Sequence, residues 1–96
     1  MLHIVNQSPL CSTTLQSVAR VAQGGALLLI EDGVIAATKG VDSPLSEIMA
    51  RMPVYALLPD LEARGLANRV LDGVTVVDYA GFVALVAEHR NCQSWL

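Results

Sequence analysis

Few side chains in this chain could do covalent or acid–base chemistry, and they are scattered. Glu31 and Asp32 are adjacent carboxylates following the apolar run at residues 26–30. As a pair they could serve acid–base work or hold a metal. Neighbouring side chains on an extended chain point apart, however, and no His or third carboxylate is close in sequence. Asp32 therefore reads as the cap of a following helix, with Glu31 solvated. Cys11 precedes an expected helix, where a thiol can be activated as thiolate. With no base or resolving cysteine nearby, it reads as an idle loop thiol and remains only a weak candidate for sulfur chemistry. Cys92 is a weaker candidate still. His3 falls in an expected strand and reads as a packed or edge histidine. His89, near a helix C-terminus, suits the helix dipole there. Ser12, Thr13 and Thr14 lack the strand–turn–helix elbow and the His base that a nucleophilic serine needs. The Gly24–Gly25 pair precedes a strand, so it is not a phosphate loop. No cofactor and no metal is expected.

Composition narrows the function classes. The 96 residues predict one domain spanning 1–96. Hydrophobic residues make up 53% and charged residues 16%, where about a quarter charged is usual. A domain this small buries a limited core, so an apolar surplus predicts that part of its surface is covered by other chains. The net charge is −3 with six scattered basic residues and 4% aromatics, which argues against direct nucleic-acid binding. No apolar run approaches the ~20 residues of a membrane span. The first basic residue is Arg20, so a signal peptide is not expected. The two cysteines lie far apart and outside any CxxC arrangement, which suits a cytoplasmic protein with free thiols.

The elements that would position these residues alternate between strand and helix. Strands are expected at 2–5, 26–30, 54–58 and 74–77, with a short fifth at 92–96. The run at 26–30 is apolar throughout, as in a strand buried on both faces. A first helix starts near Ser12 or Thr13 with a Thr13–Gln16 capping box. It buries Leu15, Val18, Ala19 and Ala22 and ends at Gly24–Gly25. A short helix at 34–38 follows Asp32. Ser43–Pro44 opens another helix, burying Leu45, Ile48, Met49 and Met52, and Pro59 opens a short one to Gly65. Asp78 caps a last helix at 79–90 with Phe82, Val83 and Val86 inward. Trp95 near the end either packs on its own core or meets another chain, since Trp is enriched at interface hot spots. This alternation predicts an α/β domain: a mostly parallel four- to five-stranded sheet with helices on both faces, in three layers.

Six segments, taken in order, resemble one family. They are residues 2–9 (LHIVNQSP), 27–34 (LLLIEDGV), 54–57 (VYAL), 60–66 (DLEARGL), 77–83 (VDYAGFV) and 93–96 (QSWL). Together they are similar to the DsrH/TusB family along the whole chain. The resemblance implies a small subunit of a cytoplasmic sulfur-relay complex. Its companions would be two related α/β subunits, DsrE/TusD-like and DsrF/TusC-like, in a heterohexamer that meets a persulfide carrier protein. In the TusBCD version sulfur passes towards 2-thiolation of tRNA wobble uridine. In the DsrEFH version it serves sulfur oxidation. The principal sulfur-carrying cysteine of such complexes belongs to a partner, at the end of its third strand. Leu57 stands at the equivalent place here. Some relatives carry a cysteine in the first helix, where this chain aligns Val18. The resemblance thus implies a non-catalytic subunit, with Asp32, Gly33, Trp95 and Leu96 as expected partner contacts. The alternative of another class is a sulfur carrier acting through Cys11.

Overall fold

The computed structural model describes residues 1–22 and 24–95. Five parallel strands form one sheet: β1 (Leu2–Val5), β2 (Ala26–Leu29), β3 (Val54–Leu57), β4 (Val74–Val77) and β5 (Cys92–Trp95), in the spatial order β4-β3-β2-β1-β5. The register runs Leu2 to Ala26 and Leu2 to Cys92 around β1, and Val54 to Val74 at the other side. The fifth strand expected from the tail is therefore present, at the edge beside β1. Four helices connect the strands: α1 (Thr14–Val21), α2 (Leu45–Met49), α3 (Leu58–Ala63) and α4 (Tyr79–Glu88). A 3-10 segment, Glu31–Ala37, follows β2.

All four β2 residues are buried, as an apolar central strand with two covered faces requires. Successive side chains point to opposite faces, and they feed two cores of unequal size. Val5, Leu27, Leu29, Val54 and Ala56 join Leu15, Val18, Leu45, Ile48, Met52 and Leu61 in the large core. On the opposite face, Leu2, Ala26 and Leu28 pack with Leu85, and Ile4, Ile30, Tyr55, Val77 and Phe82 are only partly covered. Among the described residues, the second face thus has helical cover in α4 alone.

Three local expectations are corrected. The Thr13–Gln16 capping box does not form: Thr13 has φ −95° and ψ 13° and makes no side-chain cap bond. Ser12 does the work instead, its Oγ accepting from the Thr14 N–H at 3.1 Å. Asp32 is not a cap, because the 3-10 segment starts before it and the residue preceding that segment is Ile30. Helix α4 turns Phe82 and Leu85 inward, whereas Tyr79, Val83 and Val86 are 61%, 67% and 39% exposed. By contrast, Asp78 caps α4 as expected, its Oδ1 accepting from the Gly81 N–H at 2.8 Å.

Candidate functional site

The carboxyl ends of parallel strands are where open α/β sheets gather ligands and partners. Here the chain leaves β2 through Ile30, whose N–H donates to the Val5 carbonyl at 3.0 Å. Glu31 follows with φ 49°, the left-handed region that a side chain occupies at some cost. Its N–H donates to Asp60 Oδ2 at 2.7 Å, which anchors the bend to the first turn of α3. Two residues on, Gly33 is buried so close to β1 that a Cβ would stand 2.3 Å from the Val5 carbonyl oxygen. Only glycine lets the 3-10 segment sit this near the strand end.

The two carboxylates do not act as a pair. Asp32 Oδ1 accepts from Arg64 Nε and Nη2, each at 2.9 Å. The same guanidinium lies 3.8 Å from Asp60 Oδ1 and donates to the Asp60 carbonyl at 3.1 Å. The fold thus brings Glu31, Asp32, Asp60 and Arg64 to one corner, where Arg64 ties the 3-10 segment to α3. Sequence reasoning missed Asp60 and Arg64. Their i,i+4 spacing was a legible helix pair, but nothing local pointed across to Asp32. Among the described residues, no group of three or more His, Cys, Asp or Glu side chains could hold a metal ion.

Leu57 ends β3 and is 3% exposed. It is a packed apolar side chain at the corner where the next helix begins. Asn6 continues from β1, and its buried Oδ1 has no hydrogen-bond partner among the described residues. Cys11 is exposed in the turn before α1, its N–H donating to the Ser8 carbonyl at 3.1 Å. Cys92, also exposed, pairs in register with Leu2 at the start of β1, whereas Cys11 follows the end of that strand. The two thiols lie at opposite ends of the sheet.

The family described as DsrH like protein matches residues 7–92. Protein TusB of Pectobacterium parmentieri and protein TusB of Shigella flexneri are each 37% identical over 95 residues, covering 99% of this chain and 100% of the relative. The chain belongs to the DsrH family. Two solved structures share the DsrH-family fold seen here. The ychN protein of E. coli gives a TM-score of 0.80 at 20% identity, covering 97% of each chain. A protein of unknown function from Methanobacterium thermoautotrophicum gives 0.67 at 19%, covering 97% of this chain and 95% of its own. These two likenesses speak for the fold alone.

In this family member the second end of interest is β5. Trp95 packs partly buried against the large core, and its Nε1–H donates to His3 Nδ1 at 3.2 Å. The ring centroids are 6.1 Å apart. Trp95 is thus docked on its own chain, with part of its surface still accessible. Leu96 lies outside the described residues. His3 itself is buried. Desolvation lowers its pKa, partly offset by a hydrogen bond to the Gly24 backbone, with the amino-terminal charge lowering it further. His89 meets its expectation, with Nδ1 2.8 Å from the Leu85 carbonyl at the end of α4.

Proposed function

We propose that this chain is a non-catalytic subunit of a cytoplasmic sulfur-relay complex that passes persulfide sulfur towards 2-thiolation of tRNA wobble uridine. The observation that carries this reading is membership of the DsrH family along nearly the whole chain, with TusB proteins as full-length relatives. That naming favours the tRNA branch over dissimilatory sulfur oxidation. The partners are two related α/β subunits in a heterohexamer, which meets the persulfide carrier.

Two structural features support the role. First, Leu57 occupies the strand end where the resemblance places a sister subunit's sulfur-carrying cysteine. A buried leucine side chain offers no sulfur to accept a persulfide. Second, α4 exposes Tyr79, Val83 and Val86 beside a thinly covered sheet face. Apolar surface of this kind marks association sites. Both features suit a subunit that binds partners. No described helix is long and apolar enough to cross a membrane.

The test is complementation with mass-spectrometric readout of 2-thiouridine in tRNA, in a strain lacking its own equivalent subunit. The wild-type gene, co-expressed with its two related subunits, is expected to restore the nucleoside and to co-purify as a defined complex. A Cys11→Ser/Cys92→Ser double variant is expected to restore it equally. Loss of thiolation in the double variant and in Cys11→Ser alone, with the complex intact, would transfer the role to the thiol-carrier reading through Cys11.

A further inference from the structure

A second feature near the carboxyl edge lies outside the sulfur-relay reading. Residues 37–39 and 69–71 form a short antiparallel bridge: Thr38 pairs with Val70, Lys39 N–H donates to the Arg69 carbonyl at 2.8 Å, and Leu71 N–H donates to the Ala37 carbonyl at 2.7 Å. This register sets Lys39 opposite Arg69. Like charges opposed across a strand pair are destabilising, and both side chains are exposed. Among the described residues neither has an acidic partner within ion-pair distance. Arg64 lines the same cavity but is already neutralised by Asp32 and Asp60. Three of the chain's six basic residues therefore face one cavity in a molecule of net charge −3.

The cavity holds about 380 Å³, and its other side chains include Ile35, Val41 and Leu66. That volume falls within the range of natural ligand pockets. Thr38 does not offer its hydroxyl, since Oγ1 donates to the Ile35 carbonyl at 2.7 Å. The free chemistry is two unpaired cations above an apolar wall.

We propose that this cavity binds an acidic peptide segment of another protein, with an Asp or Glu carboxylate between Lys39 and Arg69 and an adjacent apolar side chain on Ile35, Val41 and Leu66. Charge complementarity demands the anion. The wall is aliphatic and carries no aromatic side chain on which a base could stack, which favours a peptide over a nucleic acid. Two cations also fall short of a nucleic-acid footprint, and a polyanion would meet a chain of like net sign. A carboxylate placed between Lys39 and Arg69 offsets the like-charge juxtaposition that the backbone register sets up.

The experiment is an amide-shift titration of the full chain at low salt. The probes are acetyl-Glu-Leu-Glu-Leu-amide, its Gln-for-Glu counterpart and a uridine hexanucleotide, each against wild type and Lys39→Gln/Arg69→Gln. The acidic peptide is expected to shift the amides of residues 38–41 and 69–70 saturably. The Gln peptide and the double variant should each bind about tenfold more weakly, the scale of a charge-assisted contact. The variant's melting temperature should be equal or higher, because the repulsion is gone. Equal shifts from both peptides, tighter binding of the oligonucleotide, or no saturable shift with the acidic peptide would each overturn the proposal. Assembly with the related subunits is read separately, so the two readings can fail independently.

Discussion

Gly33 carries the steric constraint of the carboxyl edge. An added methyl group would press on the Val5 carbonyl at 2.3 Å, and neither backbone can retreat without disturbing the β1–β2 pairing. Gly33→Ala is expected to cost about 2 kcal/mol or more, on the scale of overpacking and backbone strain, checked by urea unfolding. Asp32 belongs to a weaker class. Its side chain is 62% exposed and its partner is Arg64. Such a surface pair contributes at most about 1 kcal/mol, so Asp32→Ala should lower stability by less than that, and by less again in high salt. His3 makes stability depend on pH. Its native pKa lies below the ordinary 6.5 because burial disfavours the cation. Above about pH 6.5 neither native nor unfolded His3 is protonated, and its neutral packing is fully expressed. As the pH falls through that value the unfolded chain takes up a proton that the native one resists, so stability falls until the native pKa is passed. The decline should shrink in His3→Gln, compared by urea midpoints at about pH 7.5 and 5.5. Protonation would also set a donor on Nδ1 against the Trp95 indole N–H.

At the scale of elements, α4 is where the sequence pattern ran out. Its core-facing side was expected at Phe82, Val83 and Val86, and the structure turns Phe82 and Leu85 inward. A helix apolar on every side has no polar stripe to show which face is buried; only the position of the sheet decides it. The outward face then makes a testable object. Val83→Asp is expected to change the stability of the isolated chain by no more than about 0.5 kcal/mol, as for exposed sites in general. In co-expression it should sharply reduce recovery of the complex, because a charge would be buried at the seam. Retained assembly, read by size-exclusion chromatography, would move the interface elsewhere. α1 shows the opposite case. Of Leu15, Val18, Ala19 and Ala22, read from helical spacing, Ala19 is partly buried and the other three are buried. Its carboxyl end is held by Arg51, which donates to the Ala22 carbonyl at 3.1 Å and also to the Ala19 carbonyl. That contact spans about thirty residues of chain and has no local signature.

At the scale of the molecule, the sheet divides the apolar surplus unevenly. Among the described residues, one face is packed by α1, α2, α3 and the 3-10 segment, and the other by α4 alone. The composition pointed to surface covered by other chains. The structure leaves apolar side chains exposed on α4 and leaves Ile4, Ile30 and Tyr55 only partly covered. Under the proposed relay function, this is the face offered to companion subunits.

The sequence by itself determined the α/β class, the order of strands and helices along the chain, the buried central strand, the Asp78 cap and the family. These follow from local periodicity, from turn and capping chemistry, and from motifs that stay in register along the chain. Tertiary structure alone decided that Asp32 pairs with Arg64, that Gly33 abuts Val5, that α4 turns Leu85 inward, and that Lys39 stands opposite Arg69. The physical reason is common to all four. Each depends on where strands far apart in the chain come to rest, and a through-space distance has no trace in local spacing.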